Sequence, residues 1–169
     1  MSDGPEIVVD LRAPSWSTAL ADAEAICREA AGAAVAAAGI APGEISVVLV
    51  DDAFIRVLNR DHRGRDRATD VLSFPQTNGT DMPVQPGQPR LLGDIVVAYE
   101  TTAADAARNE IALTAHLAHM IVHGVLHLAG HDHELEPAAE AMEALEVAAL
   151  ARLGIADPYA ELTASPAIS

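Results

Sequence analysis

Glu44-Ile45-Ser46-Val47-Val48-Leu49-Val50 is the stretch on which the fold turns. These residues lie between Gly43 and Asp51 and read as a strand. The four apolar residues that close it, Val47 to Val50, predict burial on both faces. Upstream, Glu6 to Leu11 reads as a short strand, followed by a helix-start region at Ser15 and Ser17. An alanine-rich helix from about Thr18 to Ala38 comes next, stopped by Gly39. Downstream, Asp51 or Asp52 caps a helix carrying Phe54, Ile55, Val57 and Leu58. Val71 to Phe74 makes a third strand ended by Pro75, and Ile95 to Val97 a fourth after Gly93-Asp94. From Thr101 the chain reads as helical almost to Leu153, with breaks near Arg108-Asn109, at Gly130 to His133 and at Pro137.

This mixed pattern shows no internal repeat and no domain boundary, so the expectation is one domain over residues 1–169 with a frayed tail at 160–169. Gln76 to Arg90, rich in Pro, Gly and Gln, has no periodicity and reads as either a flap beside a site or a plain insertion. Half of the 169 residues are hydrophobic and 21% are charged, which excludes a disordered or collagen-like chain. Aromatics are only 3%, so the core must be aliphatic, and a nucleic-acid surface built on aromatic stacking is disfavoured. The single Cys27 excludes an internal disulfide and any zinc site needing two thiolates. Neither a secretory signal nor a run of 18 apolar residues is present, so the expectation is a cytoplasmic protein with no membrane partner.

The net charge is −15, and all ten basic residues are arginines. Taken whole, such a molecule repels nucleic acid and anionic lipid. Yet Arg56, Arg60, Arg63, Arg65 and Arg67 share one window with only Asp61 and Asp66, a local excess of three positive charges. That window reads as a solvated loop with local ion pairs or as an anion-binding patch.

Six of the seven histidines lie between positions 116 and 133. His123 and His127 stand four apart, so on a helix they share a face and two ring nitrogens can reach one ion at about 2.0–2.1 Å. Gly130 can end that helix, letting His133 return toward the same point, with His131 as its competitor. Three neutral nitrogens and one open position are the layout of a catalytic zinc site. An all-helical trio of His119, His123 and His127 spans about 12 Å along the axis, too much for one ion. His116 and His119 therefore read as buried, hydrogen-bonded core or supporting residues, and Asp132 as a carboxylate that orients a ligand ring or caps a turn. The spacing matches that of metzincin proteases, but Gly124 stands where those enzymes carry their glutamate base.

His123-Gly124-Val125-Leu126-His127-Leu128-Ala129-Gly130-His131-Asp132-His133 resembles the signature of the YbeY-type endoribonucleases, also called rRNA maturation factors. A second block, from Leu58-Asn59 through Arg63 to Thr69-Asp70-Val71-Leu72-Ser73-Phe74-Pro75, resembles another of that family's motifs. Leu92-Gly93-Asp94-Ile95 and Gly154 to Tyr159 resemble two more, in the same order. His62 and His131 stand where relatives usually carry an aromatic residue.

The resemblance implies an α+β fold, a small mixed four-stranded sheet with about five helices and a zinc site at the end of a central helix. It implies one Zn2+ held by His123, His127 and His133, and it places the family's functionally important arginine at Arg63. It further implies cleavage of single-stranded RNA in small-subunit ribosomal RNA 3′ end maturation and ribosome quality control, with the small ribosomal subunit as partner. Arg60, Arg65 and Arg67 would then grip backbone phosphates. Two rivals share part of this pattern: a metal-dependent hydrolase of a small substrate, and a non-catalytic ribosome-associated factor that zinc merely stabilises.

Overall fold

The computed structural model describes residues 6–40, 43–75, 91–130 and 138–158. Strands β1 (Glu6–Leu11), β2 (Glu44–Val50), β3 (Val71–Pro75) and β4 (Leu91–Ala98) form one sheet in the order β1-β2-β4-β3. β1, β2 and β4 run parallel, and β3 pairs antiparallel with β4 at the edge. Among the described residues six helices surround the sheet, in line with the about five expected: α1 (Pro14–Ala19), α2 (Ala23–Ala38), α3 (Asp52–Arg63), α4 (Tyr99–Arg108), α5 (Leu113–Leu128) and α6 (Ala138–Arg152). This is the α+β mixed-sheet architecture that the family resemblance implied. Among the described residues no single helix is long and apolar enough to cross a membrane.

β2 is covered on both faces, as its apolar run predicts. Ile45, Val47 and Leu49 face the larger core, built with α2, α5 and α6, while Val48 and Val50 face a smaller one under α3. β4 alternates in the same way, with Ile95 and Val97 on the first side and Val96 and Ala98 on the second. Period-two alternation in two adjacent central strands thus separates the helices into two layers.

α1 is separate from α2 because the alanine-rich stretch does not run on from Thr18. Leu20 takes an extended conformation, φ −135° and ψ 102°, and closes α1. Trp16 explains the break: its ring is fully buried, Nε1 donates to the Val50 carbonyl at 3.0 Å, and it meets Tyr99 edge-on at 5.2 Å. The short α1 seats that indole at the end of β2, and the chain turns before α2 can start. Gly39 does end α2, in the left-handed conformation at φ 65°. Cys27, on α2, is fully buried, and burial pushes its thiol up to about 12, so it offers no thiolate.

The paired aspartates after β2 divide two tasks. Asp51 caps α3, accepting from the Phe54 amide at 2.8 Å. Asp52 instead accepts from the Thr101 amide at 3.0 Å and its hydroxyl at 2.8 Å, while Glu100 accepts from the Asp52 amide at 2.8 Å. The N-termini of α3 and α4 are thereby tied together at one end of the sheet.

Candidate metal centre

His123 and His127 lie on the last two turns of α5, and their rings meet at 4.6 Å between centroids. Their Nε2 atoms are 3.0 Å apart. That is the distance of an N–H···N hydrogen bond between imidazoles, in which one ring donates to the other. Tetrahedral ligands at 2.0–2.1 Å would sit about 3.3 Å apart, so the pair fits an ion with little adjustment. The far side of His123 is fixed by Glu146 of α6, whose Oε2 lies 2.5 Å from His123 Nδ1. A carboxylate can only accept here, so Nδ1 carries the proton and Nε2 turns its lone pair toward His127. Glu146 Oε1 lies 3.4 Å from His119 Nε2, one turn earlier on the same face of α5.

The sequence reading missed Glu146. Its side chain is 1% exposed, and a carboxylate is buried to that extent only when paired. The signal was present: Ala139, Met142, Ala149 and Leu150 form the buried stripe of α6, and Glu146 is the charged residue within it. His119, read as a core or supporting residue, is placed beside the same carboxylate. His131, Asp132 and His133 lie outside the described residues, as do the 76–90 segment and the 160–169 tail.

Gly124 explains how α5 comes to rest on the sheet. A Cβ built there would stand 2.9 Å from Ile95 Cγ2 and 3.1 Å from both Cδ1 and Cγ1. The position that carries the base in metzincin proteases therefore faces the buried side of β4, not the paired histidines. On the next strand, the Ser73 hydroxyl lies 3.5 Å from the Gly124 carbonyl, and Arg63 Nη2 donates to the Ser73 carbonyl at 3.3 Å. One residue of edge strand β3 thus links Arg63, at the end of α3, to the helix that bears the histidines.

The structure sorts the arginine window. Arg56 binds Asp66 through Nε at 2.8 Å and Nη2 at 3.3 Å, a hydrogen bond that holds the Asp66 carboxyl below its ordinary range. Arg60 pairs with Asp61 at 3.1 Å. Both pairs are exposed and therefore weak. Arg63, Arg65 and Arg67 are exposed and form no ion pair with the described residues, which accounts for the local excess of three positive charges. Buried Asn59 shapes the turn that presents them: its Nδ2 donates to the Arg67 carbonyl at 2.9 Å, and its own carbonyl accepts from the Arg65 amide at 3.3 Å. His62 meets Phe74 edge-on at 5.2 Å, so the imidazole does the work of an aromatic ring.

A second group of donors stands apart from these. Asp70, Asp105 and His116 each offer one ligand atom, all within 4.8 Å of one another, and together they could hold a metal ion. The sequence reading gave His116 as a buried, hydrogen-bonded core or supporting residue; it is buried, but among the described residues neither ring nitrogen has a hydrogen-bond partner. It did not join His116 to Asp70 and Asp105, which come from the entry to β3 and from α4.

Taken together, a mixed-sheet α+β fold, two histidines whose Nε2 atoms lie 3.0 Å apart and an exposed arginine turn define a small protein with a candidate metal centre beside a cationic turn. A family model described as Endoribonuclease YbeY matches residues 13–154. The chain is 50% identical over 158 residues to the Endoribonuclease YbeY of Paramagnetospirillum magneticum, covering 92% of this chain and 96% of that one. It is 54% identical over 123 residues to the protein of the same name from Erythrobacter litoralis, covering 71% and 76%. A Thermotoga maritima protein solved in solution superposes with a TM-score of 0.51 at 25% identity, covering 88% of this chain and 91% of that one. The chain belongs to the endoribonuclease YbeY family. Its role is accordingly that of an endoribonuclease, a nuclease that hydrolyses RNA.

Proposed function

We propose that this endoribonuclease is zinc-dependent and specific for single strands. We further propose that it acts in the cytoplasm at the 3′ end of small-subunit ribosomal RNA and in ribosome quality control. The observation that carries the reading is the 3.0 Å approach of His123 and His127 Nε2, backed by a carboxylate that fixes one ring from behind. Neutral imidazoles are donors that suit zinc. His123, His127 and His133 would hold the ion, the third by its place in the motif. When bound, such an ion supplies positive charge that polarises a phosphoryl oxygen and acidifies water.

The chain's own residues do the rest. Glu146 keeps the proton on His123 Nδ1 and the ring in one orientation. Arg63 has one Nη spent on Ser73, which holds the guanidinium in place while its remaining N–H groups can meet the charge that develops on a phosphodiester. Arg65 and Arg67, with Arg60 when it leaves Asp61, attract the backbone phosphates of an RNA strand. The chain as a whole carries a net charge of −15, so its other faces repel RNA, which confines productive approach to this turn.

The test is cleavage of structured and unstructured RNA by purified, metal-analysed protein, run beside a histidine variant. Zinc occupancy with no cleavage of either RNA would overturn the enzymatic reading and leave a zinc-stabilised ribosome-associated factor. Arg63→Ala is expected to lower kcat on a single-stranded oligonucleotide about 10²–10³-fold, with metal content and Tm unchanged. Unaltered turnover would remove Arg63 from the site. Glu146→Gln keeps the volume but withdraws the charge, and metal affinity is expected to fall about 10–100-fold in competition with a chromophoric chelator.

A further inference from the structure

We propose that Asp70, Asp105 and His116 form a second divalent-cation site, separate from the paired histidines, that clamps the arginine-bearing turn to the helical layer. Two observations carry it independently. The three donor atoms lie within 4.8 Å of one another, a spacing that a single ion can bridge. His116 is only 7% exposed, and among the described residues neither of its ring nitrogens has a hydrogen-bond partner. An imidazole that far from water with both nitrogens unmet is costly unless something on its donor side completes it. Burial, aided by the neighbouring His119, holds the His116 pKa below its ordinary range against the pull of Asp70 and Asp105. The ring is thus neutral and keeps a lone pair to give.

The carboxylates retain capacity too. Asp70 Oδ1 accepts from the Val71 amide at 2.7 Å, and Asp105 Oδ1 pairs with Arg108 at 2.7 Å. In each residue the second oxygen has no hydrogen-bond partner among the described residues. One imidazole with two carboxylates is a mixed nitrogen and oxygen set. It suits Mn2+, Fe2+ or Zn2+ better than Mg2+ or Ca2+, which prefer all-oxygen surroundings. Two carboxylates would neutralise a divalent charge, and the acidic chain adds a favourable field.

Position gives the site its consequence. His116 precedes His123 by seven residues on α5, about 10 Å along the axis, so the two ions could not act as a close pair, which needs about 3.5–4 Å. Asp70 instead joins the turn that carries Arg65 and Arg67 to β3, and its carbonyl accepts from the Ala98 amide at 2.8 Å. An ion there would join that turn to α4 and to the first turn of α5. Its part is positioning, since none of its donors lies at the paired histidines.

The experiment uses the whole chain, stripped of metal and reloaded with one molar equivalent of zinc, then titrated with Mn2+ while electron paramagnetic resonance counts the unbound ion. One further Mn2+ per chain is expected, with selective broadening of the His116 ring resonances. His116→Phe preserves the buried ring volume, and Asp105→Asn alters a partly exposed side chain. Each should weaken Mn2+ binding at least tenfold. His127→Ala should leave Mn2+ binding intact, which separates this site from the zinc proposal above. No saturable Mn2+ binding, or binding that persists equally in both His116→Phe and Asp105→Asn, overturns the proposal. So does a metal-free protein in which His116 is doubly protonated at pH 8, because an ion pair with the carboxylates would then be the whole explanation.

Discussion

His127→Ala is expected to yield a folded protein that retains no zinc after gel filtration and cleaves no RNA. The variant removes one of two nitrogens that meet at 3.0 Å. Losing one of three neutral donors removes most of the affinity, because the remaining two cannot close the ion's coordination against water. The fold should survive, since His127 is only partly buried near the end of α5 and the larger core under that helix is aliphatic. Metal analysis and far-UV circular dichroism on the same sample decide the matter. Full stoichiometric zinc in the variant would refute the ligand assignment, and loss of secondary structure would show that His127 serves the fold instead.

Gly124→Glu should have the larger effect on stability. That substitution restores the base of the metzincin motif, so a protease-like reading predicts a folded protein with a carboxylate beside the metal. The packing predicts failure to fold. The added Cβ alone would stand 2.9 Å from Ile95 Cγ2, and Ile95 is fully buried and stiffened by its β-branch. Beyond the Cβ, a carboxylate would enter an aliphatic layer with no partner, at a cost of several kcal/mol against a total stability of about 5–15 kcal/mol. Insoluble protein, or soluble protein without a cooperative thermal transition, is the expected result. A folded Gly124→Glu variant with unchanged Tm would mean that position 124 faces outward. Gly124→Ala is the graded control: overpacking of about 1–3 kcal/mol is partly offset by about 1 kcal/mol of helix propensity. Its Tm should therefore fall by a few degrees at most.

The same glycine shows where sequence reading reached its limit. The absence of a glutamate at position 124 was visible at once, and it argued against peptide hydrolysis. Its cause was not visible, because Ile95 lies 29 positions earlier and only the packing of α5 on β4 brings the two together. Asp52 is a similar case. Local signals offered it as a cap for α3, but Asp51 does that, and Asp52 bonds Thr101 on another helix. In the arginine window, charge counting anticipated a local excess of three. Which arginines carry it depended on the reach of Arg56 to Asp66 and on the turn held by Asn59.

What the sequence determined by itself was periodic or local. Strand alternation, the Gly39 stop and the four-residue step from His123 to His127 follow from backbone geometry acting over a few neighbours. These sufficed to expect a mixed pattern of strands and helices and two ring nitrogens able to share one ion, while the mixed sheet was what the family resemblance implied. What the tertiary structure alone decided was long-range pairing. Glu146 is 23 residues from the ring it orients, and His116 meets an aspartate from the far side of the sheet connection. No helical or strand period spans such distances. A buried carboxylate and an unpartnered imidazole acquire their meaning only from what the fold sets opposite them.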